Sequence, residues 1–476
     1  MERQEKLESI LAKLHSDDEW GTYFFGKYYF SIATKKKRTE YGLTKSKHEL
    51  SLGAQLQLQY QNFPALFHEY IHYLHELSTV IGNASLSLDL SAKAIFSNWL
   101  NTNPKAGTSE GLKPEYREKY VKATITQDIL LGDFYDVIEG RFLQVTDIDY
   151  MKQEVYFPHG TDFMKGTLNI PSIDFDQLVN GQPKINKLLF GKYFIYEGLA
   201  YELDRLVDQQ VKGLEIIDDN GKGTEYTVLR RLTQYVFPTI DKPTYLSLGV
   251  LSLQYMNCGE TFIKLVERVK QQVEDGIPQA DSLQKIKDEV SSLLASKQKC
   301  FREAQDEYVE IFRNRRNLYH SFVYLTDQMK QLYDVRIKNP CFEVDYVFNG
   351  RFRDILNIAP ICDYMYLFTD ENEFMRDFLG TSIDKKTSQA LKTVVCYDHF
   401  YKKHKIFPTS KVEEESHKCP FYTCCNLELR KINKEVCKTK PWRIYEKAAN
   451  KDNQQCWYGG GVLEFKGHNE QQKDEK

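Results

Sequence analysis

Three polar residues, His68, Glu69 and His72, form the pattern H-E-x-x-H within FHEYIHYLHE at residues 67–76. On an α-helix, side chains four positions apart lie on one face with Cβ atoms about 5–6 Å apart, so both imidazoles can bind one metal ion. Glu69 is rotated by about 100° from His68, so it flanks the ion and can act on a water molecule held there. The spacing predicts a metal site with an adjacent carboxylate base, which is the arrangement for metal-assisted hydrolysis.

The segment around the motif reads as a buried helix, with Phe63-Pro64 as its expected start and Gly82-Asn83 as its expected stop. Apolar side chains cover its other faces: Leu66, Phe67, Tyr70, Ile71, Leu74, Leu77, Val80 and Ile81. A metal ion would satisfy the buried imidazoles, while histidines on a merely structural helix are the alternative. Glu76 lies about 12 Å along the axis from His68, so it and His75 are expected to support the site and not to ligate the ion.

A catalytic zinc ion needs a third protein ligand and an open position. The segment GKYFIYEGLAYELDRLVD at residues 191–208 reads as a second apolar helix. Its acids are Glu197, Glu202, Asp204 and Asp208. An acid near the start of a helix can also serve only to satisfy the helix dipole, and this alternative is open for Glu197.

The stretch Glu197-Gly198-Leu199-Ala200, followed by Asp204, resembles the N-E-G-F-A…E helix of gluzincin metallopeptidases, most nearly the alanyl-aminopeptidase type. The resemblance implies an α+β gluzincin-like core in which His68, His72 and Glu197 bind zinc, and Glu69 is the general base on zinc-bound water. It further implies that Gly198 lets the two helices approach closely. Asp204 and Glu202 would not bind the metal themselves but would hold its ligands in position. Glu202, His159 and Asp162 remain alternative third ligands.

The sequence departs from this family in three places. Tyr196 replaces the usual Asn, and Glu197 follows His72 by 125 residues, so an inserted subdomain is expected between them. The G-A-M-E-N strand of the aminopeptidases is echoed by Gly53-Ala54-Gln55-Leu56-Gln57, where Leu56 replaces the amine-binding glutamate. Such a strand could pair with an extended peptide, so an endopeptidase is favoured over an exopeptidase.

The chain divides into four predicted regions: a metallopeptidase core at 1–258 with an insertion at about 84–190, a helical hairpin at 259–338, a C-terminal recognition or partner-binding region at 339–465, and a disordered tail at 466–476. GTYFFGKYYFSIA and AQLQLQY predict a small N-terminal sheet. Residues 64–150 read as largely helical, and short strands are expected in 151–190. The basic run at 35–38 is expected at a solvated hairpin tip and not in a nucleic-acid patch.

The C-terminal region contains a candidate structural zinc site at Cys419, Cys424, Cys437 and Cys456, with buried or free thiols as the alternative. The loose spacing of these cysteines leaves the choice open. The triplet Gly459-Gly460-Gly461 lacks the Gly-Lys-Ser/Thr of a phosphate-binding loop and is expected to form a turn.

Composition limits the classes of protein to consider. The chain has 476 residues, a net charge of −3 and ten cysteines, and it shows neither an export signal nor a long apolar run. These features predict a cytoplasmic protein with no nucleic-acid or membrane partner. The leading hypothesis is a zinc metallopeptidase with a specific protein or peptide substrate, in the manner of a regulated effector or toxin-like protease. A regulatory protein partner is expected at the C-terminal region. The alternative is a non-catalytic adaptor or scaffold with a structural or degenerate metal site.

Overall fold

The structure is a computed structural model. It describes residues 21–23, 30–34, 67–102, 114–132, 141–159, 162–179, 181–212, 223–355, 358, 366–369, 372–375, 385–404, 418–422, 428–444 and 456–465. Several sequence predictions fall outside these ranges: the basic run at 35–38, the AQLQLQY strand, the segment 53–57, Cys424 and the tail at 466–476.

The described chain is mostly helical and contains an antiparallel three-stranded sheet, which confirms the α+β class. The strands are β1 (Gly21–Tyr23), β2 (Phe30–Thr34), β3 (Arg141–His159), β4 (Asp162–Val179), β5 (Gln182–Leu189), β6 (Tyr366–Thr369) and β7 (Asn372–Met375). The helices are α1 (67–78), α2 (Val80–Thr102), α3 (Pro114–Leu131), α4 (Lys192–Lys212), α5 (Thr224–Val236), α6 (Lys242–Ser252), α7 (Cys258–Glu274), α8 (Gln279–Glu310), α9 (Arg316–Lys338), α10 (Phe342–Phe348), α11 (Phe352–Ile355), α12 (Lys385–His404), α13 (Glu428–Ile432), α14 (Lys434–Thr439) and α15 (Trp457–Phe465).

Strands β3, β4 and β5 form one antiparallel sheet between the helices α3 and α4 in the chain. Strand β3 begins at Arg141, inside the segment predicted to be helical, and that part of the prediction is wrong. Its apolar residues Phe142, Val145 and Ile148 recur every third position, which suggests a helix. Two register shifts, at 142/144 and 145/147, each add one residue, so this spacing of three fits the inward face of a strand.

The N-terminal strands β1 and β2 belong to a second sheet of order β1-β2-β6-β7, in which β2 and β6 are parallel. The predicted strands in GTYFFGKYYFSIA are therefore present at 21–23 and 30–34. The predicted break in the helical hairpin is also present, because α7 ends at Glu274 and α8 begins at Gln279. No helix in the described part of the chain is both long and apolar enough to cross a membrane.

Helix α1, which carries the H-E-x-x-H motif, is almost completely buried between α4 and the segment formed by α9, α10 and α11. The Tyr70 hydroxyl donates to the Ile355 carbonyl at 3.0 Å, so residues predicted to begin the C-terminal region pack directly on this helix. The helix breaks at Thr79, and α2 continues through Gly82-Asn83, where a stop was expected. A Cβ atom on Gly82 would lie 2.4 Å from the Glu76 carbonyl oxygen, so close backbone packing explains this glycine.

Gly198 makes room for a different helix from the one expected. A Cβ atom there would lie 2.6 Å from the Leu229 Cβ atom on α5, so the glycine allows α4 and α5, and not α4 and α1, to pack closely. The Gly459–Gly461 triplet lies within α15, so the predicted turn is wrong. Helix α12 is held to α2 by a buried ion pair between Lys93 and Asp398 at 2.5 Å.

Candidate metal centre

Helices α1 and α4 bring together the side chains of His68, His72 and Glu197, although 125 residues separate His72 from Glu197. The His68 and His72 Nε2 atoms are 3.0 Å apart, and they lie 3.3 Å and 3.4 Å, respectively, from the Glu197 Oε2 atom. Within the described ranges, this is the group of three metal-type side chains whose ligand atoms all lie within 4.8 Å of one another. The three atoms thus form a nearly regular triangle.

The size of this triangle fits a single zinc ion. In a tetrahedral zinc site with bonds of about 2.0–2.1 Å, neighbouring ligand atoms lie about 3.3–3.4 Å apart. Two imidazoles and a carboxylate are also the ligand types that bind catalytic zinc, with a fourth position left open. The three side chains therefore resemble, in both chemistry and spacing, a set of residues that can bind zinc.

A hydrogen bond to Asp204 orients the His68 ring for metal binding. His68 Nδ1 lies 2.8 Å from the Asp204 carboxylate, so a neutral ring donates there and turns its Nε2 lone pair toward Glu197. Burial opposes protonation of His68, but hydrogen bonds to Asp204 and Glu197 outweigh it and hold the pKa well above its usual range. Without a metal, a protonated His68 ring supplies the positive charge beside Glu197, so a metal ion bound there would displace the His68 proton.

Glu197 and His72 are in the charge states that metal binding needs. Burial would raise the pKa of Glu197, but the neighbouring His72 and His68 rings outweigh it and hold the pKa well below its usual range. Burial lowers the pKa of His72, which keeps the ring neutral near pH 7. An ionised carboxylate and a neutral imidazole can both bind a metal without first losing a proton.

Glu69 lies on α1 beside His68 and is only 6% exposed. The side chains of His68, Glu197 and Asp204 are 13%, 12% and 16% exposed, respectively, so these three residues keep limited contact with solvent.

Asp204 holds the ring of His68, and this contact gives a prediction. We expect Asp204→Asn to weaken zinc binding by about 10–100-fold, because the ring loses the partner that fixes its orientation and raises its basicity. Competition with a chelator measures the affinity. Asp208→Asn, one turn further along α4, is the matched control and should stay near wild type. Equal affinities for wild type and Asp204→Asn would show that this hydrogen bond does not orient the ligand.

A layer of fully buried charges lies behind the three ligand residues. His75 Nε2 is 2.9 Å from Glu343 Oε1, and Arg336 donates to Glu343 Oε2 at 2.5 Å and to Ser78 Oγ at 2.9–3.0 Å. Lys192 donates to the second glutamate of α1, Glu76, at 2.7 Å. These contacts explain why a helix in the interior contains so many titratable side chains beyond its metal motif: each has a buried partner.

Tyr196, which replaces the asparagine of the gluzincin pattern, joins the two layers. Its ring stacks on His72 with centroids 6.2 Å apart and lies 5.3 Å from the His75 ring. The Lys192 ammonium lies 4.9 Å from the same ring. The tyrosine therefore packs behind a ligand residue, and its hydroxyl lies 3.3 Å from the Thr79 hydroxyl.

The structure places the other predicted residues apart from this group. Glu202 is buried and pairs with Lys242 at 2.8 Å and with Arg230 at 3.6 Å. His159 and Asp162 are paired in register at the closed end of the β3–β4 hairpin. Glu197 is thus the candidate third ligand that the fold brings to the two histidines.

Two contacts of the site were missed from the sequence. The Tyr226 ring on α5 lies 6.1 Å from the His68 ring in an edge-on arrangement, and nothing in its local sequence marks it among 31 tyrosines. Lys192 could have been found, because a lysine within the apolar run LLFGKYFIY needs a buried partner. The identity of that partner, Glu76, comes only from the fold.

The resemblance to gluzincin metallopeptidases covers the two segments at 67–76 and 191–208. Comparisons with protein-family models, with curated protein sequences and with solved structures found no match to this chain. Membership in that group of peptidases stays a prediction drawn from the two motifs.

Proposed function

We propose that this protein is a zinc-dependent peptidase that hydrolyses peptide bonds of a specific protein substrate. The observation that supports it most is the triangle of His68, His72 and Glu197, with edges of 3.0–3.4 Å, beside a buried glutamate in the H-E-x-x-H position. When bound by these three residues, zinc supplies a Lewis acid that polarises a carbonyl and lowers the pKa of water to about 7.

Glu69 is the proposed general base and then the general acid. It accepts the proton released when water attacks the peptide carbonyl, and it returns that proton to the amine nitrogen as the C–N bond breaks. Its burial at 6% exposure keeps bulk water from competing for the carboxylate. Its place on the same rigid helix as both histidines fixes its distance to the reacting atoms.

Asp204 and the buried charges behind α1 are the proposed positioning residues. Asp204 orients the His68 ring, while the contacts of Arg336 and Lys192 fix α1 against α9 and α4. Sites supported in this way keep their ligands in productive geometry without rearrangement when the substrate arrives. Preference for an endopeptidase stays a sequence prediction, because residues 53–57 lie outside the described ranges.

The proposal is tested by incubating zinc-loaded wild type and Glu69→Gln with a host-cell lysate and mapping new protein termini. We expect a small set of new termini that appears with wild type and is absent with Glu69→Gln. A third sample, wild type stripped of metal and then reloaded, should lose and regain the same termini. A chain that purifies without metal and creates no termini would instead favour an adaptor or scaffold.

A further inference from the structure

Four cysteines border one small cavity in the C-terminal region. They are Cys396 on α12, Cys419, Cys437 on α14 and Cys456, which directly precedes α15. Seven cysteines lie in the described ranges, and the other three, Cys258, Cys300 and Cys341, lie elsewhere. More than half of the described thiols thus converge on one place, although they come from four separate segments of the chain.

The cavity has a volume of about 20 Å³ and an apolar wall that includes Phe421, Ile444 and Trp457. A space of this size holds one water molecule, which needs two to four polar partners that an apolar wall does not provide. Thiolate sulfur, by contrast, is a preferred ligand of zinc and other thiophilic metals. Four thiols around so small a space therefore offer a thiophilic metal ion more suitable ligands than they offer a water molecule.

Short backbone contacts hold the cysteine-bearing segments together. The Cys419 N–H donates to the Cys437 carbonyl at 2.9 Å, which holds these two segments side by side. His399 and Tyr458, 2.7 Å apart, join α12 to α15. These contacts place Cys419 beside Cys437 and α12, which contains Cys396, beside α15, which Cys456 precedes.

A positive charge also lies at this cavity, because the Arg430 side chain forms part of its wall. The same guanidinium lies 4.5 Å from the Tyr422 ring, which keeps it beside the cavity. An arginine in this wall would partly offset the net negative charge of a divalent metal ion bound by four thiolates.

We propose that Cys396, Cys419, Cys437 and Cys456 bind one thiophilic metal ion, zinc in the simplest case, as a structural site independent of the proposed peptidase centre. Four protein ligands leave no open position, which is the arrangement of structural zinc. Cys396 thus takes the place that the sequence suggested for Cys424, which lies outside the described ranges.

Metal binding would also draw the four thiols closer together. Sulfur atoms in a tetrathiolate zinc site lie about 3.8 Å apart, given Zn–S bonds of about 2.3 Å. In the described part of the chain, no three cysteine sulfurs lie within 4.8 Å of one another, unlike the ligand atoms of the first site. The proposal therefore includes a rearrangement of these side chains when the metal binds.

Metal analysis of full-length variants tests the proposal. The His72→Ala background removes the metal expected at the first site, so any remaining stoichiometric metal reports on the cysteines. We expect one equivalent of zinc in His72→Ala, and background levels after Cys419→Ser and Cys437→Ser are added. The matched control adds Cys300→Ser and Cys341→Ser, one exposed and one buried thiol outside the cavity, and should keep the metal.

A second measurement does not depend on how well the variants fold. Wild-type chain loaded with cobalt(II) should show an intense sulfur-to-cobalt charge-transfer band, which His and Glu ligands alone do not produce. Iron with acid-labile sulfide in place of zinc would also support thiolate ligation and would identify an iron–sulfur cluster. The proposal is overturned if no metal depends on the four cysteines and the cobalt band is absent.

Discussion

His72→Ala should lose the zinc of the first site, whereas Glu69→Gln should keep that zinc and slow peptide hydrolysis by about 10²–10⁴-fold. Alanine at position 72 leaves His68 and Glu197, and two protein ligands do not make a stable zinc site. Glutamine at position 69 keeps the size and burial of the side chain but cannot accept a proton. The two variants therefore separate metal binding from proton transfer.

Elemental analysis measures the zinc, and kcat/KM on a substrate found by mapping termini measures the chemistry. His320→Ala on α9 and Glu289→Gln on α8 are matched controls, because both side chains lie outside the three-ligand group and should change neither quantity. Two results would contradict the proposed centre: unchanged zinc at the first site in His72→Ala, or wild-type turnover in Glu69→Gln.

The local part of the site could be predicted because helix periodicity places residues four apart on one face. That rule places His68 and His72 together from their spacing alone. The resemblance of Glu197-Gly198 to a ligand helix then indicated the residue that the fold brings within 3.3–3.4 Å of them. Glu202, one and a half turns further along α4, could not be excluded from sequence, because its partners Lys242 and Arg230 come from two other helices.

The parts that could not be predicted depend on contacts between distant segments. Strand β3 was missed because its two bulges change the spacing of its inward residues from two to three. The partner of His75 was missed because Glu343 lies 268 positions away, and sequence shows only that a buried charge needs a partner. Local patterns indicate which residues need partners, and the tertiary fold decides which partners they have.

The same distant contacts give the largest expected effect on stability, at Arg336. This arginine is completely buried, lies 4.3 Å from the Phe342 ring, and donates to Glu343 and to Ser78 on α1. Arg336→Met should lower the free energy of unfolding by about 3–5 kcal/mol, because Glu343 is left as an uncompensated buried charge. Denaturant unfolding at pH 7 measures the loss.

Two controls separate this effect from the loss of an ordinary ion pair. Arg302→Met removes a partly exposed arginine that pairs with Asp334 at 2.7 Å and should cost no more than about 1 kcal/mol. Arg336→Met combined with Glu343→Gln should recover much of the loss, since the uncompensated charge is removed. Similar small losses of unfolding free energy in Arg302→Met and Arg336→Met would show that burial of Glu343 does not increase the cost of losing its arginine partner.

The pH dependence of this loss follows from the charge on Glu343. Burial would raise the pKa of Glu343, but Arg336 and His75 outweigh it and lower the pKa to about 2 in the wild type. Arg336 also lowers the pKa of His75, so without the arginine the pKa values of both partners rise. The folded variant therefore takes up a proton on this buried pair at a higher pH than the folded wild type does. Acidification from pH 7 to pH 5 should therefore narrow the stability gap between wild type and Arg336→Met, because the variant gains stability relative to wild type as the Glu343–His75 pair is protonated. A gap that widens or stays constant over this range would show that the cost of the substitution does not come from the charge of Glu343.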